Sequence, residues 1–523
     1  MRIRPAGKLA IFIVVLGIAF GGYRLWQQRG GGFNIGGIGK GSVTKGHTIS
    51  GDQGILGRPL RVGVNTWPGF GGGFAANGGH FKPNRDSIFW KNHNLLVEFI
   101  LMDDVDPRAK AFARGDVDLV WSTVDFFANE APGFRKGGVN PKAVIQVDWS
   151  RGGDAIVVDD SIHSVEDLKG KKIALTLFTP SHWLLASSLQ NSSLDESDQD
   201  RIMKGLVGKN VSSDAEKDFV SNKVDAAVLW EPDVTNALKD RPGCHILVST
   251  KTAANLISDI LIARSEFLNQ HPDAVKAFVR GWMDGTEEAN RHPETVVSCL
   301  LENEPTYTDL GEDKTRETLS TVHFAGLADN AKTFGLDGSD PLFDRIFTQV
   351  GATWVRNGII TSAVAPGDVK DDRFVRAAYQ AIPKKERTVT PREEFRFKPA
   401  TASKRTQRAI MTRPVKIHFE SNSSALTEDA KNVLDNVATL IQTYSNAYIR
   451  VEGNSASTGH AAGEVRLSQM RAESVVRYMV KRYGFDRNRF IAVGNGPYKP
   501  VASNNTEAGQ AKNRRTDIKV VSK

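Results

Sequence analysis

Cysteine is almost absent: Cys244 and Cys299 are the only two in 523 residues. That excludes a scaffold stapled by several disulfides and any four-cysteine zinc site, while one bridge or two free thiols both stay open. No GxxxxGK[ST], HExxH or GxSxG occurs, and the eleven histidines show no metal-ligand spacing. The phosphate-loop, zinc-protease and nucleophile-elbow chemistries are therefore not expected, and neither is a metal or cofactor. Ser181 and His182 are sequence neighbours, which is not how a nucleophile and its base meet. The chain does not read as an enzyme.

What is present is ordinary globular composition, 40 % hydrophobic and 24 % charged, which excludes a disordered tail protein and a polytopic membrane protein. The length fits three or four compact units. The net charge of +8 is concentrated: between Lys384 and Arg413 ten Lys and Arg face three acids. The rest is nearly neutral, so a broad phosphate-binding face, and with it nucleic acid, is not expected.

Arg2, Arg4 and Lys8 precede an apolar run from Leu9 to Tyr23, followed by Arg24 and Trp26. Arg24 can snorkel and Trp26 can sit at an interface, so residues 1–29 predict a transmembrane anchor helix with a cytoplasmic N-terminus. Ala19-Phe20-Gly21 is a poor cleavage site, which favours an uncleaved anchor over a signal peptide. Residues 30–59 are glycine-rich with few large apolar side chains and read as a tether.

From residue 60 to about 380, β-rich runs alternate with helical periodicity, as in Leu60–Val64, Val117–Trp121, Lys172–Leu177 and Asp225–Trp230. This predicts an α/β unit on largely parallel sheets. Residues 381–414 are basic and hold Pro391, Pro399 and Pro414, and read as a second linker. From 415 to 523 a βαβ pattern follows, with Leu426, Ala430, Val433, Leu434, Val437 and Ile441 at helical spacing and Thr427 as N-cap.

An open α/β sheet places its chemistry at the carboxyl ends of its strands. There the sequence sets Trp67-Pro68-Gly69, Ser122-Thr123, Thr179-Pro180-Ser181-His182 and Glu231-Pro232. Thr179 to His182 also begin a predicted helix with Pro180 in its first turn, and a helix start flanked by hydroxyls suits a small anion. Each piece singly reads as a turn, a cap or a satisfied core residue; their recurrence at successive strand ends makes them a site.

Residues 60 to about 375, about 60 % of the chain, resemble the periplasmic substrate-binding proteins of nitrate, sulfonate and taurine uptake. The resemblance rests on RVGVNTWPGF (61–70), FARGDVDLVWSTVD (112–125), SVEDLKGKKIALTLFTPSH (164–182) and VDAAVLWEPDV (224–234). It implies two lobes, about 60–150 with 251–380 and about 151–250, joined by crossover segments and closing on a ligand. By position, Trp67, Ser122, Thr123, Thr179, Ser181, His182 and Glu231 would line the cleft. A zwitterion suits hydroxyls at one end and Glu231 at the other. The glycine-rich stretch 69–79 departs from the family pattern and is expected to reshape the cleft mouth.

Residues 415–523 look like the OmpA-like peptidoglycan-associating domain, through IHFESNSSALTEDAKNVL (417–434), IRVEGNSASTG (449–459), RLSQMRAESVVRYMV (466–480) and IAVGNGPYKPVASNNTEAGQAKNRRTDIKV (491–520). Such domains hold diaminopimelate with an aspartate on its ammonium and an arginine on its carboxylate. The resemblance maps the arginine to Arg471, with Asn454, Asn505, Asn513 and Arg514 around it. The aspartate position holds Ala456, a loss worth about 2–4 kcal/mol of grip on the scale of a charged partner removed.

Together these readings imply an exported protein of the periplasm, anchored in the inner membrane and reaching toward the cell wall. It would capture a small anionic or zwitterionic solute for an ABC permease and its ATPase, and associate with peptidoglycan. The alternative is a structural or sensory envelope protein whose binding-protein unit is an interaction module and whose OmpA-like domain serves anchoring or packing.

Overall fold

The computed structural model describes residues 50–383, 395–417, 419, 423–457 and 459–523. The expected anchor over 1–29 lies outside the described residues, as do residues 30–49 of the glycine-rich tether and 384–394 of the basic segment. Among the described residues no helix is long and apolar enough to cross a membrane.

Among the described residues fifteen strands form three sheets: β1 (Leu60–Val64), β2 (Val97–Leu101), β3 (Leu119–Thr123), β4 (Pro141–Ser150), β5 (Asp154–Val158), β6 (Ile173–Thr176), β7 (Val207–Lys209), β8 (Ala226–Trp230), β9 (His245–Ser249), β10 (Ser258–Arg264), β11 (Val322–Phe324), β12 (Met411–Val415), β13 (Ala447–Asn454), β14 (Phe490–Gly496) and β15 (Thr516–Ser522). The first sheet runs β11-β4-β10-β3-β1-β2 and the second β7-β6-β8-β5-β9. Both are mixed rather than largely parallel. β1 is parallel to β2 and β3, and β6 to β7 and β8. By contrast β10 is antiparallel to β3 and β4, and β5 to β8 and β9. The reversed strands are the ones where the chain changes lobe, and local β/α alternation carries no record of that.

The chain leaves the first sheet at β4, enters the second at β5, and returns from β9 to β10. The two crossovers are pinned together by Thr250, whose Oγ1 meets Ser150 Oγ at 2.7 Å and accepts from Gly152 N at 2.9 Å. The glycine run does not shape the cleft mouth. Gly71, Gly72 and Gly73 lie in a short helix (Gly71–Ala76) pressed on the helix Pro272–Arg291 and on Phe324. A Cβ there would strike Phe324, Thr286 or Trp282, so small residues are needed for close approach.

The third sheet, β12-β15-β13-β14, belongs to the C-terminal domain. The helix Glu428–Thr443 starts where its sequence predicts, with Thr427 Oγ1 accepting from Ala430 N at 3.1 Å, and buries Leu434, Val437 and Ile441. Residues 395–414, expected as spacer, are folded into this domain. Phe397 packs edge-on against Tyr448, whose hydroxyl donates to Lys398 O, and β12 adds an edge strand where Pro414 costs no ladder bond.

This domain docks on both lobes and the crossover. Arg413 donates to Asn191 Oδ1 at 2.9 Å, Asn255 N to Thr443 O at 3.2 Å, and Arg345 to Gln442 Oε1 at 2.6 Å. Tyr444, fully buried, meets Ser188 Oγ at 3.5 Å.

Candidate functional site

A cavity of about 190 Å³ opens between the two lobes at the carboxyl ends of their strands. The first lobe contributes Asn65, Thr66 and Trp67 after β1, Trp121 and Thr123 from β3, and Asp259 from β10. The second contributes Asp154 at the head of β5, Thr176 and Thr179 at the end of β6, Ser212 and Ser213 after β7, and Trp230 and Asp233 around the end of β8. Three helices start at its wall, Pro180–Gln190, Ser212–Val220 and Asp233–Asp240; the first two receive no side-chain cap, whereas Glu231 Oε2 accepts from Thr235 N in the first turn of the third. In the first two, Ser181, Ser212 and Ser213 carry the early backbone N–H groups that can meet an acceptor.

Of the seven residues expected here, Trp67, Thr123 and Thr179 line the cavity. The other four do not. Ser122 is fully buried and its hydroxyl donates to Glu130 Oε2 at 2.8 Å. Glu130 in turn pairs with Arg108, which lies against the Trp121 ring, 4.4 Å from its centroid. Ser181 is fully buried in the first helical turn. His182 is buried beside Trp354, accepts from Phe178 N at Nδ1, and is pushed down to about 3 by burial, so its imidazole is neutral. Glu231 turns away from the cavity to take Thr235 N on Oε2 and Thr235 Oγ1 on Oε1. Strand alternation explains Ser122, because successive side chains of β3 face opposite sides: Trp121 and Thr123 face the cavity and Ser122 faces away.

The carboxylates that line the cavity were not among the expected ones. Asp154 is 3 % exposed and burial raises it to about 8. Asp259 sits opposite Asp148 in the β4–β10 register, and burial together with the Asp148 charge pushes it well above the carboxylate range. Asp148, held by Trp67 Nε1 at 2.7 Å, rises to about 6 through burial. Asp233 rises to about 6 for the same reason. The available signal was an acid inside an apolar run, as in Ile257-Ser258-Asp259-Ile260-Leu261. Trp230 and Asp233 were inside a quoted motif but not singled out.

In the C-terminal domain Arg471 is half-buried, lies over the Phe419 ring and donates to Ser423 O at 3.0 Å. Arg514 and Asn505 are exposed. Asn513 is fully buried and spends its amide on the 501–504 loop, accepting from Val501 N and Ala502 N and donating to Ala502 O and Asn504 Oδ1. Asn454 is 6 % exposed and bonds Asp517 and Asn495. Ala456 is 3 % exposed, so a methyl group is buried where the family pattern has a carboxylate. Cys244 and Cys299 are both free thiols.

Comparison with known proteins divides the chain the same way. Residues 418–514 match the OmpA family and residues 153–296 the family described as NMT1/THI5 like. Outer membrane protein A of Bordetella avium is 38 % identical over 103 residues, 20 % of this chain and 53 % of that protein. Probable lipoprotein YiaD of Escherichia coli K12 is 34 % identical over 127 residues, 24 % of this chain and 58 % of that protein. The chain thus spans little more than half the length of either relative. Among solved structures, the periplasmic sulfonate-binding protein SsuA of Methylobacillus flagellatus is 18 % identical with a TM-score of 0.48, covering 62 % of this chain and 94 % of that one. The chain joins a two-lobed α/β unit that carries an NMT1/THI5-like domain over residues 153–296 to a C-terminal OmpA domain over residues 418–514.

Proposed function

We propose that the chain is a solute receptor of the cell envelope, held at the inner membrane by its N-terminal segment. The two-lobed unit captures a small zwitterionic or anionic solute for an ABC permease and its ATPase, and the C-terminal domain associates with peptidoglycan. The observation that carries this reading is the cavity itself, seated between two lobes joined by two crossovers and walled by Thr and Ser residues and uncapped helix starts. A zwitterion fits better than a simple oxyanion, because no Lys, Arg or His lines the cavity and four Asp do.

Thermal unfolding of the full chain, followed by tryptophan fluorescence, tests it. All nine Trp precede residue 355, and none lies in the C-terminal domain. A solute at a hundred times its Kd adds about 2.7 kcal/mol, a shift of several degrees. The panel is taurine, alkanesulfonates, phosphonates, nitrate, phosphate and bicarbonate; no shift with any of them defeats small-solute capture.

A second reading, a structural or sensory envelope protein, is favoured by Ala456 and by the docking of the C-terminal domain on both lobes. Sedimentation with purified peptidoglycan separates the two, since a domain used only for packing stays in the supernatant.

A further inference from the structure

The four acids of the cavity are unevenly placed: Asp103 and Asp233 stand singly, while Asp154 and Asp259 come together at the crossovers. On the second lobe's side the starts of Pro180–Gln190 and Ser212–Val220 offer N–H donors. Around the crossovers, by contrast, Asp154 and Asp259 are nearly sealed from water, with Asp148 directly behind Asp259. Clustered carboxylates without a counter-charge repel each other and lose hydration, so such a cluster is stable only protonated or paired. No cationic side chain among the described residues reaches the cavity wall. The guanidinium against the Trp121 ring, Arg108, is taken by Glu130. The Thr176 hydroxyl is a second unfilled position: it lines the cavity, is 4 % exposed and has no hydrogen-bond partner.

The geometry points to a solute with an ammonium or amidinium head, seated on Asp154 and Asp259, with Thr176 as an additional acceptor. This rests on the receptor reading above and fixes which end of the solute goes where. An inorganic cation is a poor occupant: among the described residues no group of three or more His, Cys, Asp and Glu is arranged to hold a metal. Trp67, Trp121 and Trp230 supply flat apolar surface instead, which suits an organic cation through dispersion and cation–π attraction. At roughly 15 Å³ per water-sized volume the cavity takes about a dozen such volumes, the scale of a small amine. The anionic end of a zwitterion then reaches the open helix starts of the second lobe.

Matched pairs that differ only in the cationic group test this by calorimetry on the full chain: taurine against ethanesulfonate, and 4-(aminomethyl)benzoate against 4-methylbenzoate. The expected result is that the ammonium member of at least one pair binds about tenfold tighter or more, and that D154N and D259N each erase that advantage. The pairs need no variant, so a folding defect in either Asp→Asn protein leaves the first comparison intact. Equal binding within both pairs, or tighter binding of the anions, overturns the cationic head while leaving the receptor. An ammonium advantage that survives both substitutions also overturns it, by placing the head elsewhere. No binding by any of the four at millimolar concentration overturns the cationic head, and the receptor reading is then decided separately by the wider panel of thermal shifts.

Discussion

The indole N–H of Trp67 donates to Asp148 Oδ2 at 2.7 Å, with both side chains buried. This bond ties the turn after β1 to the crossover strand β4, and it fixes two neighbours. Gly69 must lack a side chain because a Cβ there would fall on the Asp148 carboxylate. Gly153 must lack one because its Cβ would strike the Trp67 ring, which closes over the crossover. One ring thus walls the cavity and braces the crossover.

Replacing Trp67 by Phe keeps a ring but leaves Asp148 without its donor. An unsatisfied buried carboxyl costs about 1–3 kcal/mol, so W67F is expected to lower the unfolding free energy by that amount, read as a lower urea midpoint at an unchanged m-value. G69A is expected to cost more, because its methyl displaces the carboxylate as well. A W67F protein as stable as the parent would show that the bond contributes nothing.

Stability of the solute-free protein should fall as pH rises from about 6.5 to about 8.5. Asp154, Asp125 and Glu231 have folded pKa values raised by burial to about 8, 7 and 7. A carboxyl raised in the folded state favours folding while it is protonated, and that contribution is lost as pH climbs toward the folded value. His182 works in the opposite direction, but only below its unfolded pKa near 6.5, so it is silent in this window. Melting temperatures of the parent and of D154N across the window check this. The parent is expected to slope downward and D154N to slope less; a flat parent profile would mean that the carboxylates are already ionised and paired.

Arg108 and Glu130 form a fully buried ion pair, with Arg108 also donating to Trp121 O and lowered to about 9 by burial. Removing one partner strands the other, so E130A is expected to destabilise the two-lobed unit by about 3–5 kcal/mol. The double replacement Arg108→Met with Glu130→Leu should recover much of that loss, because no charge is left uncompensated. Chemical unfolding monitored by tryptophan fluorescence reads both. Ser122, bound to Glu130, takes its place in this core rather than in the site.

Architecture was legible where the determinants are local. Strand β1, the helix begun at Pro180 and the Thr427 cap all follow from short-range pattern, and both structured regions were visible from motifs. The site was legible only in part, for a geometrical reason. Trp67, Thr123 and Thr179 sit at strand ends, whereas Asp154 and Asp259 are 105 positions apart and meet only because two crossovers run side by side. Ser122 and Glu231 were misplaced by side-chain direction, which a one-residue error in a strand end reverses. In the basic stretch, charge concealed a folded edge: Phe397 and Met411 are buried amid lysines and arginines.

Acid should loosen the C-terminal domain in a distinct range. Burial pushes Glu452 up, but Lys519, Asn495 and Lys499 outweigh it and hold the carboxyl down to about 2, and Arg450 binds it at 2.7 Å. A depressed carboxyl contributes stability above its unfolded pKa, near 4.5, and loses it as pH falls toward 2. Hydrogen-exchange protection factors in β13 and β15, taken against the intrinsic rate at each pH, are expected to fall progressively over that interval in the parent, and to be low already at neutral pH in E452Q. Protection factors that stay constant down to pH 2.5 would remove Glu452 as the domain's acid-labile point.

The last expectation concerns the wall. In the family pattern an aspartate and an arginine hold the two ends of diaminopimelate, and here Arg471 remains while Ala456 replaces the acid. If the domain associates with peptidoglycan through this site, the alanine has removed the ammonium partner and left the carboxylate partner. A456D should then raise the fraction of the full chain that sediments with purified peptidoglycan, with at least a tenfold gain in affinity on the scale of a charged partner regained. R471A should abolish sedimentation of both the parent and A456D. Because Ala456 is buried, the added carboxylate needs room, and A456N serves as the control: it carries the same volume without the charge and should gain little. Equal sedimentation of all five proteins would place wall binding elsewhere, and no sedimentation of any would leave the domain as the brace that its bonds to Asn191, Asn255 and Arg345 already describe.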